Sequence, residues 1–347
     1  MIRKEKIIQD LDSSSTFHFS MRKELRVIFM GTPEFAVASL DALVKAGHNI
    51  VAVVTAPDKA AGRGLQLQQS AVKKYAVENN LNTLQPEKLK SLGFLQQLKQ
   101  LNADLQVVVA FRMLPEAVWN MPPMGSINLH GSLLPQYRGA APINWAIING
   151  EKETGVTTFK LKHEIDTGDI LLQEAFPIGE NETAGEVHDK MKEIGAQLLL
   201  KTVKGLADGT LKERPQSSIV NRQASGVSGE SSLTIHDSRF TTLKHAPKIF
   251  TETCKIDFSK TTEEVHNLIR GLSPFPGAFT TLHGKMLKIY KSEKQITGTK
   301  TIPGEPETDK KTFLKFACVD GYVHIKELQL EGKKKMSTGD FLRGYHF

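Results

Sequence analysis

Cysteine is scarce in this chain of 347 residues, which contains only Cys254 and Cys318. Two thiols supply neither a disulfide framework nor a full set of ligands for a structural zinc ion. We therefore expect both side chains to pack in the interior of a protein that works in the reducing cytoplasm. We expect no metal.

Long apolar runs are also missing from the sequence. Crossing a bilayer takes about 20 consecutive apolar residues, and no stretch of the chain provides them. Residues 1–20 carry Lys and Arg near the start but have no apolar core before Met21, which excludes a secretory signal. We expect these residues to form a disordered N-terminal extension, with Met21 as an alternative start, and we expect no membrane partner.

The charge of the chain is positive and unevenly distributed. The formal net charge is +7, and residues 226–347 contribute +5 of it, with nineteen Lys and Arg residues against fourteen Asp and Glu residues. A basic region of this kind fits a partner that carries phosphate groups. A solvated lysine-rich surface explains the charge equally well.

The length exceeds that of a typical single core, and the first part of the chain has an α/β pattern. Short apolar runs alternate there with segments whose apolar residues recur at helical spacing. The first turn lacks the G-x-G-x-x-G spacing, which counts against a nicotinamide-dependent dehydrogenase. We expect strands over residues 25–30, 50–55, 105–111, 155–161 and 170–178, and helices over residues 35–44, 71–78, 92–101, 142–148 and 183–206.

The last third of the chain has a different pattern. Residues 211–232 are rich in serine, glycine and polar residues and poor in periodic apolar ones, which indicates a linker. From about residue 233 short strands dominate, which favours a small barrel. We expect strands over residues 254–258, 278–282, 286–290, 313–319 and 322–330, and one helix over residues 262–272.

Ser126 to Pro142 is the stretch that most suggests chemistry. In a strand that ends at His130, Asn128 and His130 would point to the same face. The following residues, with Pro135 and two glycines, turn the chain away and leave this pair at the carboxyl end of a strand, where open α/β sheets bind ligands. An Asn and a His at this position can also simply satisfy backbone groups of a turn.

Two loops are further candidates. Residues 57–69 contain Lys59 and Arg63 in a glycine-bearing segment without periodicity, and long loops in compact domains are often functional. Residues 163–169 contain Asp166 in Asp-Thr-Gly, a sequence typical of turns, so a structural role is the simplest interpretation of this aspartate.

Asn-Leu-His-Gly-Ser-Leu-Leu-Pro, followed by Tyr-Arg-Gly-Ala-Ala-Pro-Ile, resembles the signature of the formyltransferases that use 10-formyltetrahydrofolate. The resemblance extends from about residue 25 to the C-terminus. It implies a Rossmann-like catalytic domain with a mostly parallel sheet over residues 21–210, a linker over residues 211–232, and an OB-like barrel that binds tRNA over residues 233–347. The implied reaction moves the formyl group of 10-formyltetrahydrofolate to the α-amino group of initiator methionyl-tRNA.

The same resemblance assigns roles to individual residues. His130 and Asp166 are 36 positions apart, which matches the family's catalytic set of Asn128, His130 and Asp166. Asn128 and His130 would donate hydrogen bonds to the developing oxyanion, with His130 also relaying a proton, while Asp166 would orient His130. The remaining assignments are Phe111, Arg112, Met113, Leu114, Ser132, Leu133, Leu134 and Pro135 for the folate, and Lys59, Arg63, Lys333, Lys334 and Lys335 for the tRNA.

The sequence departs from the family pattern at three places. Arg112 occupies a position where a smaller residue is more familiar, and Phe275 one where Trp is more familiar. Residues 65–69 are Leu and Gln where further lysines are typical. Other functions compatible with the sequence are a formyltransferase acting on a sugar or nucleotide amine, a deformylase that uses water, and a non-catalytic RNA-binding protein. We expect a monomer.

Overall fold

The computed structural model describes residues 24–61, 66–218, 242–297 and 301–345. The expected N-terminal extension over residues 1–20 lies outside the described residues. In the described part of the chain, no helix has both the length and the apolarity that crossing a bilayer would take.

Seven strands form the central sheet of the N-terminal domain in the order β10-β9-β7-β6-β1-β2-β5. Neighbours from β5 to β7 are parallel, and β9 and β10 are added antiparallel at one edge. The prediction of a mostly parallel sheet is therefore confirmed. The strands of this domain are β1 (Arg26–Gly31), β2 (Asn49–Val54), β3 (Lys59–Ala61), β4 (Gln66–Gln68), β5 (Thr83–Leu84), β6 (Leu105–Val109), β7 (Ser126–His130), β8 (Arg138–Gly139), β9 (Glu153–Lys160) and β10 (Ile170–Pro177).

Helices cover both faces of this sheet. Val27 and Phe29 of β1 enter the core on one face, and Ile28 and Met30 enter the core on the other, so β1 is buried on both sides. The longest helix, α6, begins with a capping box in which Thr183 and Glu186 satisfy each other's backbone N–H groups. The helices are α1 (Glu34–Lys45), α2 (Ala71–Glu78), α3 (Leu92–Gln100), α4 (Glu116–Trp119), α5 (Pro142–Ile148) and α6 (Ala184–Ala207).

The C-terminal domain is built on a second, antiparallel sheet with the order β12-β13-β16-β15-β14 and with β17 paired to β16. Two register shifts between Ile289 and Ser292 interrupt the pairing of β13 with β16, and such bulges bend a strand. Closure into an OB-type barrel stays a prediction. The elements are β11 (His245–Ala246), α7 (Thr262–Gly271), β12 (Ala278–Leu282), β13 (Lys285–Ile296), β14 (Pro306–Thr308), β15 (Leu314–Ala317), β16 (Gly321–Leu330), β17 (Met336–Ser337) and α8 (Thr338–Gly344).

Two expectations about local structure were wrong. Residues 254–258 do not form a strand, because Glu252–Cys254 is a short 3-10 helix and only Lys255 bridges to Phe279. Residues 57–69 are not wholly irregular, since β3 and β4 pair as an antiparallel hairpin. Residues 62–65 between them, which include Arg63, lie outside the described part.

The domain boundaries at residues 21–210, 211–232 and 233–347 stay predictions. Residues 211–218 contact the first domain, because Arg214 and Ile170 exchange backbone hydrogen bonds. Residues 219–232 of the expected linker lie outside the described residues.

A polar joint connects the two domains at the end of α7. Arg270 is only 3% exposed, and its guanidinium donates to the carbonyl oxygens of Gly179 and Glu182, at 3.4 and 3.1 Å. The Asn144 side chain donates to the Gly271 carbonyl at 2.7 Å. Since α7 belongs to the C-terminal domain and these partners to the N-terminal one, the contacts fix how the domains meet.

Arg270→Ala should destabilise this joint. The substitution leaves the carbonyl groups of Gly179 and Glu182 without their charged donor, and hydrogen bonds to charged groups contribute roughly 1.5–3 kcal/mol. We expect the free energy of unfolding in urea to fall by about 2–3 kcal/mol. Arg343→Ala is the control, since Arg343 is exposed and its ion pair with Asp340 is a surface pair worth about 0–1 kcal/mol. Equal losses in the two variants would contradict the importance of the joint.

His266 lies in the same joint and gives it a pH dependence. Burial, with the cations of Arg270 and Lys294 nearby, lowers the pKa of His266 to about 4, although Glu180 and Glu263 oppose the shift. As pH falls, the unfolded chain binds this proton first, near the ordinary histidine pKa of about 6.5. The free energy of unfolding therefore decreases as the pH falls from about 6.5 to 4. The decrease due to His266 is at most about 3 kcal/mol.

The measurement compares the free energy of unfolding from pH 7 to pH 4 in the native protein and in His266→Gln. The glutamine variant cannot titrate at this position, so its stability should fall less steeply over this range. Parallel curves would show that His266 does not contribute to the pH dependence.

Candidate active site

Strand β7 ends at the edge where the parallel strands have their carboxyl ends, as expected for a ligand site in this architecture. Asn128 and His130 are two residues apart on this strand and share one of its faces. Asn128 is half-buried, and its side-chain amide forms no hydrogen bond with any described residue. A donor and an acceptor are thus left available at this edge.

His130 is held on both sides of its ring. The side chain is 7% exposed, and Nε2 lies 2.9 Å from the carbonyl oxygen of Tyr137. Because a carbonyl oxygen can only accept, the proton of this bond is on Nε2. Nδ1 lies 3.8 Å from Oδ2 of Asp166, and the ring packs edge-on against Phe159. Nδ1 is therefore the nitrogen that can exchange a proton beside a carboxylate.

Asp166 is fixed by its backbone and its side chain. It has a φ of +55°, in the left-handed region, which aspartate tolerates better than most residues other than glycine. Oδ2 accepts a hydrogen bond from the backbone N–H of Gly139 at 3.0 Å, and the Asp166 carbonyl accepts from Nε2 of Gln216 at 2.8 Å. The structure thus brings together the three residues that the sequence singled out.

Arg138 and Gln216 form a hydrogen-bonded chain that ends at the Asp166 carbonyl. Oε1 of Gln216 accepts from Nε and Nη2 of Arg138, at 3.0 and 2.5 Å, while its Nε2 donates to the loop that carries Asp166. Burial lowers the pKa of the Arg138 guanidinium, and the nearby Asp166 and Glu164 carboxylates oppose this shift. Sequence reasoning missed Gln216, which lies 78 positions from Arg138 in a segment that carries no motif.

The loop after His130 is folded back on β9. The Ser132 hydroxyl donates to the Gln136 carbonyl, and the Thr157 hydroxyl donates to the Ser132 carbonyl, both at 2.6 Å. Ser132, Leu134 and Pro135 are buried and Leu133 is half-buried. The Ser132 hydroxyl is therefore already hydrogen-bonded within the loop. These four residues would contact a ligand mainly through the shape of their surface.

A short strand from the start of the C-terminal region lies along this loop. β11 pairs with β8 in parallel, and the Lys244 carbonyl accepts from the Tyr137 N–H at 2.7 Å. The Tyr137 hydroxyl donates to Glu151 at 2.6 Å, and burial together with this carboxylate raises the pKa of Tyr137. No sequence pattern predicts this pairing, since a strand of two residues is too short to show a periodicity.

The exit of β6 forms a second wall. Phe111 and Leu114 are half-buried against the core, whereas Met113 is 74% exposed. The Arg112 guanidinium donates to the carbonyl groups of Glu87 and Pro86 and lies over the Phe111 ring. In the described part of the chain, the main-chain groups of residues 111–114 form no backbone hydrogen bonds, so they are available to pair with a heterocycle edge.

A cavity of about 740 Å³ opens at the same edge of the sheet. Two of the predicted site residues, Lys59 and Arg112, contribute to its wall, whereas Asn128, His130 and Asp166 do not. In the wall of this cavity, Oδ2 of Asp58 forms an ion pair with Nζ of Lys73 at 2.5 Å. The lining residues are Thr32, Pro33, Ala56, Pro57, Asp58, Lys59, Glu87, Ala110 and Arg112.

The remaining predicted residues lie elsewhere. Lys333, Lys334 and Lys335 are exposed at the turn between β16 and β17 in the C-terminal domain, where Lys335 pairs with Glu327 at 2.6 Å. Among the described residues, no group of three or more His, Cys, Asp and Glu side chains could hold a metal ion. The arrangement that can do chemistry is the Asn128 amide beside the His130 and Asp166 pair.

Comparison with protein families gives two matches that together cover most of the chain. A family model described as formyl transferase matches residues 25–203, and one described as formyl transferase, C-terminal domain, matches residues 248–346. The chain is 49% identical over 332 residues to a protein of Bacteroides fragilis named methionyl-tRNA formyltransferase, covering 94% of this chain and 97% of that protein. A protein of the same name from Azobacteroides pseudotrichonymphae is 50% identical, covering 92% and 95%.

Solved structures share the fold at lower identity. An N-formyltransferase from Helicobacter canadensis, in complex with folinic acid and dTDP-3-aminofucose, superposes with a TM-score of 0.61 and 22% identity, covering 90% of this chain and 100% of that one. WlaRD, a sugar 3N-formyl transferase, has a TM-score of 0.60, 22% identity and coverage of 90% and 99%.

Gly139→Ala should disturb the support of Asp166. Gly139 has a φ of +128°, and a Cβ placed there would lie 2.4 Å from the carbonyl oxygen of Ala246. We expect β11 to separate from β8, which would show as faster amide hydrogen exchange at Tyr137 and Ala140. Gly209→Ala is the matched control, because Gly209 also has a positive φ, +66°, but has open space around it. Equal exchange rates at Tyr137 in the two variants would argue against the contact.

Proposed function

Because the chain belongs to the formyl transferase family, we propose that it transfers the formyl group of 10-formyltetrahydrofolate to the α-amino group of initiator methionyl-tRNA. The choice of acceptor rests on one observation. About half of all positions, over nearly the full length, are identical in relatives named methionyl-tRNA formyltransferase. The product is N-formylmethionyl-tRNA, which serves translation initiation. The cysteine content supports a cytoplasmic protein, and we propose a monomer.

The folate co-substrate fits the wall at the exit of β6. A pterin ring has hydrogen-bond donors and acceptors along one edge, and the main-chain groups of residues 111–114 are free of backbone partners within the described residues. Phe111 and Leu114 supply apolar surface there, and we assign residues 132–135 to the same folate site. Arg112 adds a cation beside the cavity. Nothing in this chemistry calls for a metal.

The reaction joins the amine nitrogen to the formyl carbon and breaks the bond between that carbon and the folate nitrogen. The reference pKa of an α-amino group is about 7.7–8.0, so part of the amine is already neutral at neutral pH and no strong base is needed. Stabilising the negative charge that develops on the formyl oxygen is then the main task. The Asn128 amide, which has no partner among the described residues, is the donor for this oxygen.

His130 and Asp166 move the proton. The amine loses a proton when it attacks, and the folate nitrogen gains one when it leaves. Nδ1 of His130, 3.8 Å from the Asp166 carboxylate, can take part in this transfer, while Nε2 stays bonded to Tyr137. The structure therefore favours the relay role that the sequence assigned to His130 over its role as a second oxyanion donor.

The tRNA would contact two regions. Lys59 is exposed at the rim of the cavity, and we assign the second contact of this region to Arg63, which lies outside the described residues. Lys333, Lys334 and Lys335 are exposed on the C-terminal domain and would neutralise phosphates.

The experiment that tests this function is mass analysis of methionyl-tRNA after incubation with the protein and 10-formyltetrahydrofolate. Formyl-methionyl-tRNA should appear only when both substrates are present. A parallel incubation with a nucleotide-linked amino sugar tests the alternative acceptor, since the fold is shared with sugar formyltransferases. Formylation of the sugar but not of the tRNA would overturn the proposal.

Asn128→Ala should lower turnover by roughly 100- to 1,000-fold, which is the usual cost of losing one oxyanion donor. The KM values for both substrates should change little, because the donor acts in the transition state. His130→Ala and Asp166→Ala should be impaired to a similar degree. The double variant His130→Ala with Asp166→Ala should lose much less than the product of the single losses, since both residues serve one proton transfer.

The measurements are single-turnover rates at saturating substrates for each variant. Leu92→Ala is the control for handling and folding, because Leu92 is 78% exposed on α3. A folded Asn128→Ala protein with near-normal turnover, or fully multiplicative losses in the double variant, would mean that the site residues are misassigned.

A further inference from the structure

An exposed aromatic side chain is fixed at the junction of the two domains. Phe275 is 81% exposed, although burying a side chain of this kind normally stabilises a protein by about 1.5–3 kcal/mol. It lies between Pro274 and Pro276, whose rings fix the φ angles on either side.

The turn that presents Phe275 is held at several points. The Gly185 N–H donates to the Ser273 carbonyl at 3.0 Å, and the Gly277 N–H donates to the Leu272 carbonyl at 2.9 Å. Nζ of Lys288 donates to the Pro276 carbonyl, also at 2.9 Å. The ring is therefore exposed by a well-anchored backbone, so a partner would meet it with little loss of conformational freedom.

Next to the turn that carries Phe275 lie a half-buried lysine, Lys288, and a buried tyrosine, Tyr290, which is 8% exposed. Gly277 packs directly on Lys288 and Tyr290, since a Cβ placed on Gly277 would lie 3.4 Å from Lys288 Cδ and 3.2 Å from Tyr290 Cε1. Lys335 Nζ lies 5.0 Å from the centre of the Tyr290 ring.

Hydrogen bonds continue this surface to the lysine turn. The Tyr290 hydroxyl donates to Gln329 Oε1 at 2.8 Å, and Gln329 Nε2 donates to the Lys333 carbonyl at 2.9 Å. Lys288 has no acidic partner among the described residues. A chain of contacts thus links the turn of Phe275 with the three exposed lysines.

We propose that Phe275 stacks on an unpaired base of the tRNA while Lys288 and Lys333–Lys335 hold the adjacent phosphates; this inference rests on the proposed function. Proteins that bind single-stranded nucleic acid combine aromatic rings for the bases with cations for the backbone, which are the two components found here. The net charge of +5 over residues 226–347 supports an anionic partner rather than a purely apolar one.

The test compares the affinity for methionyl-tRNA of the native protein with that of Phe275→Ala, Phe275→Leu and Phe275→Trp. Alanine should weaken binding by roughly 5- to 100-fold, as expected for the loss of one stacked base. Leucine keeps the apolar contact but cannot stack, so it should be as weak as alanine. Tryptophan should bind at least as tightly as phenylalanine, and its fluorescence should be quenched when tRNA is added.

Salt dependence separates stacking from charge. Phe275→Ala should weaken binding by the same factor at every salt concentration, because stacking releases no counterions. Lys335→Gln should instead reduce the slope of log affinity against log salt by about 0.7–0.9, the value for one phosphate contact. The control is Ile296→Ala, since Ile296 is 62% exposed at the opposite end of β13, roughly 25 Å from Lys288.

The outcomes distinguish this inference from the function on which it rests. If the native protein does not formylate methionyl-tRNA, the proposed function fails. If it does, but Phe275→Ala binds tRNA as well as Ile296→Ala does, the stacking role is wrong. Full affinity in Phe275→Leu would also overturn it, since the contact would then be apolar packing of the kind a protein partner uses. Unchanged melting temperatures exclude a folding defect as the cause of weaker binding.

Discussion

The hydrogen bond from the Gly139 N–H to the Asp166 carboxylate is the contact on which the arrangement of the site depends. It joins the loop after β7 to the loop before β10, and it is the bond that holds the Asp166 carboxylate itself, since Gln216 binds only the backbone of that loop. The same residue, Gly139, approaches Ala246 so closely that no side chain fits there. A backbone constraint in one loop therefore sets the position of a carboxylate in another.

The same loop connects the site with the C-terminal region. β11 pairs with β8, and Arg270 ties α7 to the carbonyl groups before α6, so the second domain is attached to the first near both ends of the catalytic scaffold. An enzyme that must bring the end of a large RNA to a small site needs its two binding regions at a fixed distance. Buried polar contacts of this kind are well suited to the task, because their geometry is far more restrictive than that of apolar packing.

Much of the scaffold could be predicted from the sequence, because it depends on local patterns. The apolar runs of β1 and β6 and the periodic residues of α6 identify their own conformations, and strand alternation alone places Asn128 and His130 on one face. The strand predicted at residues 254–258 was wrong because alternating apolar residues also occur in segments that pack on a sheet without pairing with it. Gln216 and β11 could not be predicted, since they act through single contacts across long separations in sequence.

Among the described residues, the polar side chains of the loops next to His130 are hydrogen-bonded, whereas the Asn128 amide is not. Each of four side chains there donates a hydrogen bond to another protein group: Ser132, Thr157, Tyr137 and Gln216. The Asn128 amide forms none with any described residue, although it lies among these satisfied groups. Because Asn128 is only half-buried, its amide can exchange a hydrogen bond to water for one to a substrate. The bond strengthens when the substrate oxygen becomes negative, which is the condition for stabilising a transition state more strongly than the ground state.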